Sequence, residues 1–208
     1  MRNLILSSLI YSFLFCACTN DIYKNTNTEA VVLQEQDIVK PITEDTTVIY
    51  KTAVNAYGRY LSGLLIIKSF RADDYRMVFT TETGMKLFDF EFKQGKFLVH
   101  YCMDMLNKKP VVNLLRDDFS LMLARNFVGK SAKTITLYGK EYFIKKEDNE
   151  LLYINPVGDT IKHSKSTSPK GNDKLVIEYT YTNSAIPSQI KLVHKNLNLD
   201  MKLDILIR

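Results

Sequence analysis

Histidines, cysteines and neighbouring carboxylates supply most acid–base, nucleophilic and metal chemistry, and in this chain of 208 residues they are few and scattered. His100, His163 and His194 fall on three separate strand-like segments. None stands four residues from another, as a helical metal pair requires, and no Cys or Asp cluster joins them. They read as strand residues with satisfied hydrogen bonds. Asp73-Asp74 and Asp117-Asp118 are adjacent carboxylates, on a turn and on a helix, where caps or solvated charges are expected. A Gly-x-Ser-x-Gly elbow, a phosphate-binding glycine loop and a zinc-protease helix are all absent. The expectation is therefore a non-enzyme with no catalytic residue, no metal and no cofactor. An exported enzyme would have to assemble its acid–base pair from residues distant in sequence, and that alternative stays open.

The cysteines point elsewhere. Cys16 and Cys18 close an N-terminal apolar run, and Cys102 is alone in the body, so no disulfide framework follows. Arg2 precedes an apolar stretch over 4–15, about 12 positions long, against the roughly 20 that span a bilayer. A charge, a short apolar core and small residues before a cut form a secretory signal. Phe15-Cys16-Ala17-Cys18 resembles a bacterial lipobox, with Phe15 in place of the usual Leu. By that resemblance 1–17 is a signal peptide and Cys18 carries lipid. An ordinary signal peptide cut nearby, or a buried first strand, is the alternative. Several acyl chains on one cysteine hold a membrane durably. Cys102 ends an apolar strand and reads as an inert thiol.

Composition fixes the broad class. Apolar residues make up 46%, enough for a sizeable core. The net charge of +5 comes from 28 basic and 23 acidic side chains spread along strands. Nucleic-acid binding needs clustered charge, so no nucleic-acid partner is expected.

The elements that would position any site follow from periodicity. Residues 18–45 are polar, with Pro41, and read as a lipidated flexible tether, with one or two helical turns available over 29–39. From 46 to 208 a single domain is expected. Its densest part is 60–102, where Phe88, Phe90 and Phe92 share one strand face, as do Tyr75, Met77 and Phe79. Gly63 inside a strand suggests a bulge or bend. Turns are expected at 71–74, 81–84 and 94–95. Helical spacing of Val111, Leu115, Phe119 and Met122 after Pro110 predicts one principal helix over 110–125. Strands resume after it, interrupted by a polar loop over 164–173. They end in three clean alternations, with Ile190, Leu192 and His194 on one face of the middle one. Ten or eleven strands and one helix give a mainly β, α+β fold. A curled antiparallel sheet is expected, an incomplete β-barrel closed by a helical lid.

Two stretches carry a family resemblance. Tyr75-Arg76-Met77-Val78-Phe79-Thr80, then Gly84, then Leu87-Phe88-Asp89-Phe90-Glu91-Phe92, is similar to the YR-x-x-x-T…G…x-E-L strand pair of lipoprotein acceptors. Ile186-Pro187-Ser188-Gln189-Ile190-Lys191-Leu192, running into 198–205, resembles their closing strands. Over most of 60–207 the chain thus resembles the LolA/LolB-type lipoprotein carrier and acceptor superfamily. The resemblance implies an apolar cavity for acyl chains of lipoproteins or lipids. Its lining would be Met77, Phe79, Phe88, Phe90, Phe92, Met201 and Leu203, with Phe119 and Met122 on the lid. It also implies a membrane-insertion loop at Thr83, Gly84 and Met85. There the acceptors carry an exposed apolar residue before the glycine, and this chain has polar Thr83. The implied setting is the outer membrane, lipid-anchored on its periplasmic side, with other envelope proteins as further partners. Two functions remain: a carrier that binds acyl chains and inserts lipoproteins, or a structural or assembly lipoprotein whose barrel is simply filled.

Overall fold

The computed structural model describes residue 23 and residues 28–38, 40–71, 73–148, 150–155, 162–168, 171–182 and 184–207. The signal peptide and Cys18 lie outside these residues. Thirteen strands form one antiparallel sheet: β1 (Val31–Val32), β2 (Thr47–Ala56), β3 (Arg59–Arg71), β4 (Asp74–Thr81), β5 (Lys86–Lys93), β6 (Lys96–Cys102), β7 (Ser131–Leu137), β8 (Lys140–Glu147), β9 (Glu150–Ile154), β10 (Lys162–Thr167), β11 (Asp173–Thr180), β12 (Gln189–His194) and β13 (Leu199–Ile207). Among the described residues one α-helix, α1 (Lys109–Met122), follows β6. The order across the sheet is β1-β7-β8-β9-β10-β11-β12-β13-β2-β3-β4-β5-β6, so β1 and β6 are edges and the barrel is not closed. Inward side chains from both flanks, Phe90 of β5 and Leu152 of β9 among them, join one core with Phe119 and Met122 of α1. A sheet that brings both flanks to one cluster must curve around the helix.

Local chemistry explains the elements. On β5, Phe88, Phe90 and Phe92 are all buried as expected, and Leu87 before them and Asp89 between them are buried too. Pro110 sits in the first turn of α1, where its missing N–H costs no hydrogen bond. The helix stops at Met122, short of the predicted 125, because Ala124 takes a φ of 59° and the chain turns. Arg125 then spans to the β3–β4 turn. It donates from Nε to the Asp73 carbonyl at 3.1 Å and from Nη2 to Asp73 Oδ2 at 3.1 Å. Its guanidinium lies 4.2 Å from the centre of the Phe92 ring.

Three expectations are corrected. Gly63 marks no bulge: it pairs in register with Thr52 and Thr81. A Cβ there would meet the Thr80 carbonyl oxygen at 2.0 Å and the Phe79 ring at 2.9 Å, so glycine is required by close approach. The polar stretch expected as a loop from 164 instead continues β10, paired to both β9 and β11, with Ser166 and Thr167 buried. Within the segment read as a tether, Leu33, Ile38 and Ile42 are buried in the main core and β1 pairs with β7. The second half of that segment is therefore packed on the body. Among the described residues, no helix is long and apolar enough to cross a membrane.

Candidate functional site

Strand register builds an apolar floor. Tyr75 of β4 stands opposite Phe92, Met77 opposite Phe90 and Phe79 opposite Phe88. Met201 and Leu203 extend the floor on β13, opposite Leu192 and Ile190 of β12. α1 lays Phe119 over it, with its ring centre 5.8 Å from that of Phe88. Phe88 also lies 5.6 Å from Phe79 and 4.4 Å from Phe90, in the range where aromatic pairs attract. All nine residues predicted to line a cavity meet in this one cluster, at 8% exposure or less. Phe88 meets Phe119 of α1, and all nine share one contiguous core, so the floor and α1 are packed together. On the α1 side, the Tyr179 hydroxyl of β11 donates to the Met122 carbonyl at 2.9 Å. This covers one of the carbonyls that a helix end leaves without an intrahelical partner.

The β4–β5 turn carries the three loop residues. Gly84 has a φ of 86°, which an L side chain adopts only with strain. Its N–H donates to the Thr81 carbonyl at 2.9 Å, and the Met85 N–H donates to Thr81 Oγ1 at 3.0 Å. Thr83 is exposed, and its hydroxyl is 2.9 Å from that of Thr81. The exposed apolar side chain of the tip is Met85, at 51%. Glu82 ties the turn to the neighbouring β2–β3 hairpin by accepting from Ser62 Oγ at 3.1 Å.

A second site went unseen in the sequence. A cleft of about 470 Å³ runs beside α1, lined by Asp117, Asp118, Glu150, Ser166, Lys174 and His194 among others. None of the nine apolar residues above lines it. Asp118, expected as a cap or a solvated charge, is buried, and its Oδ2 lies 2.9 Å from His194 Nε2. Burial pushes the Asp118 carboxyl above its ordinary range, by more than the hydrogen bond from His194 draws it down. Glu150 accepts from Lys174 Nζ at 2.5 Å and from Ser166 Oγ. Burial also pushes Glu147 up, but hydrogen bonds from Lys145 and Asn126 outweigh it and leave the carboxyl low.

The cleft holds an imidazole–carboxylate pair, with Ser120 and Ser166 also in its lining. Leu152, Ser166, Leu175 and His194 stand directly opposite one another across β9 to β12. Ser166 and His194 are thus two strand spacings apart, roughly 9–10 Å, too far for the hydrogen bond that activates a serine. His100 of β6 pairs instead with Glu91 Oε2 at 2.7 Å. The His163 side chain lies outside the described residues. Asp74 Oδ1 accepts the Gln94 N–H at 2.7 Å, a turn cap as expected. Burial raises the Cys102 thiol, which keeps it in its less reactive form. Among the described residues, no group of three or more His, Cys, Asp or Glu is placed to hold a metal.

No protein-family model matches the chain, and no curated protein sequence matches it. Solved structures do. A LolA superfamily protein from Nitrosomonas europaea superposes with a TM-score of 0.50 at 9% identity, covering 84% of this chain and 90% of that one. A domain described as outer membrane lipoprotein-sorting, from Vibrio parahaemolyticus, gives 0.43 at 7% identity, covering 76% and 82%. A DUF1329 family protein from Desulfovibrio piger gives 0.39 at 8%, covering 79% and 85%. The likeness is one of fold, an open antiparallel sheet curved around one helix. This chain has the LolA/LolB-type fold.

Proposed function

We propose that the chain is a lipoprotein, anchored by lipid on Cys18 to the periplasmic side of the outer membrane, that binds acyl chains between its sheet and α1. The observation that carries this reading is the apolar floor of Met77, Phe79, Phe88, Phe90, Phe92, Met201 and Leu203 under Phe119 and Met122, on a LolA-type sheet. Flexible methionines and flat aromatic rings accept a mobile chain without exact fit. Burial of each square ångström of chain contributes roughly 25 cal/mol. Because floor and helix touch, α1 acts as the lid and must lift for a chain to enter. Met85 of the β4–β5 turn takes the place of the acceptors' exposed apolar residue two positions later, after the glycine, and serves the insertion of cargo into the membrane. The protein is a binder and not an enzyme, with other envelope proteins as further partners.

One observation favours a second reading, a structural or assembly lipoprotein with a filled interior. Met77, Phe90, Phe119, Met122 and Leu203 are each at 0% exposure. A fluorescent fatty-acid titration of the full chain carrying Cys18→Ser separates the two. Saturable binding, weakened at least tenfold by Phe88→Asp or Met122→Asp, supports the carrier. A folded protein that binds no probe supports the filled interior. Incorporation of labelled palmitate that vanishes in Cys18→Ser tests the anchor.

A further inference from the structure

The two edges of the sheet differ. β1 has two residues and offers little backbone. β6 has seven, about 23 Å at roughly 3.3 Å per residue, and among the described residues its backbone bonds to β5 and to no strand on its other side. A free edge of that length is a template for another strand. Natural edges of this kind are blunted by charges within the strand. Here the register shifts at His100, and the residues on either side of it are apolar, with Leu98 38%, Val99 45% and Tyr101 45% exposed. The core also reaches this edge. Phe97 packs 5.2 Å from Phe90 and 5.1 Å from Phe92, while Val99, opposite Phe90, is left half open.

Basic residues flank the strand in sequence. Lys93 and Lys96 bracket the β5–β6 turn, and Lys108 and Lys109 start α1 beyond the other end. All four are exposed, and no ion pair is made by any of them among the described residues. Nearby acids are engaged: Asp89 by Arg76 and Lys86, and Glu91 by His100. Exposed Asp104 is the exception. We propose that β6 is a docking edge for an extended segment of a partner protein, one with alternating apolar residues and acidic residues at both ends. The segment adds as a fourteenth strand. Its backbone pairs with β6, its apolar side chains continue the row of Phe97 and Val99, and its carboxylates meet the two lysine pairs. A second copy of this chain is disfavoured as occupant, because antiparallel pairing of two β6 edges brings the lysines of both into one interface.

The probe is a fluorescein-labelled nonapeptide of alternating valine and threonine with two glutamates at each end, titrated into the full chain at low salt. Saturable binding is expected, at least tenfold tighter than for the same peptide with lysine ends. Slowed hydrogen exchange at the β6 amides should accompany it. Lys93→Glu/Lys96→Glu should weaken it at least tenfold, and Val99→Lys should abolish it. Lys96→Glu alone, at an exposed position, keeps the test usable if a double variant fails to fold. Equal affinity for acidic and basic peptides, or binding indifferent to Lys96→Glu, overturns the proposal. So does β6 protection that rises with protein concentration alone, which makes a second copy the occupant. Loss of binding to phosphatidylglycerol vesicles in these variants, with no peptide binding in the wild type, assigns the edge to a membrane and also overturns it.

Discussion

Asp118 on the helix and His194 on the twelfth strand lie 76 positions apart in sequence and 2.9 Å apart in space, each side chain 5% exposed. They form a buried polar bond between α1 and the sheet, at the wall of the polar cleft and beside the apolar floor.

Breaking that bond from one side leaves the other group buried and unsatisfied. Asp118→Ala and His194→Ala should each lower stability by roughly 1–3 kcal/mol. Asp118→Leu/His194→Leu should cost much less than their sum, since an apolar pair of similar volume leaves nothing unpaired. Urea denaturation of the three variants checks this.

The acid limb of the stability profile should carry two opposing signs. Asp89 accepts from Arg76 at 2.9 and 3.0 Å and from Lys86 at 3.1 Å, and the Arg76 bond holds its carboxyl below the ordinary 3.8. A lowered folded value means stability that is present above 3.8 and lost as pH falls through the folded value. Asp118 is raised by burial, so its contribution is full below 3.8 and lost as pH rises through its folded value. Relative to wild type, Asp89→Asn should flatten the acid loss of Tm. The gap between wild type and Asp118→Asn should instead shrink with rising pH. Thermal melts in a pH series read both slopes.

Two glycines should fail for different reasons. Gly63→Ala forces a methyl against a cross-strand carbonyl at 2.0 Å, and overpacking of this kind costs roughly 1–3 kcal/mol at least, because backbone must move. Gly84→Ala meets nothing within 4 Å and is strained only by its φ of 86°, at about 1–2 kcal/mol. Chemical denaturation should rank Gly63→Ala as the worse, with a two-dimensional amide spectrum perturbed across β3 and β4.

Tyr179→Phe removes the donor to the Met122 carbonyl and no ring volume. A loss of roughly 0.5–1.5 kcal/mol is expected. Hydrogen exchange should quicken first at the C-terminal turn of α1, which tests whether this bond holds the helix end down.

Much of this fold is legible in the residues themselves. The row of Phe88, Phe90 and Phe92, the three closing alternations and the helix entered through Pro110 all follow from side-chain periodicity, a local property. The failures share one physical cause, partners supplied from far along the chain. Ser166 and Thr167 read as loop because they are polar, yet β9 and β11 satisfy their backbone and Glu150 accepts from Ser166. His194 alternates with Ile190 and Leu192, which marked it as inward-facing, but nothing in sequence pointed to Asp118 as its partner. Gly63 looked like a bulge because its crowding comes from Thr80 on the next strand. The apolar floor was legible residue by residue. Its packing against α1 was not, since close packing and an open pocket have the same composition.

Native mass spectrometry of the full chain carrying Cys18→Ser, released gently from a mild-detergent extract, tests the acyl-binding claim most directly. The account predicts a population carrying the mass of one acyl-bearing lipid, displaced by added fatty acid and lost in Met122→Asp. A folded chain that flies bare under every condition, and takes up no fatty acid on titration, contradicts it.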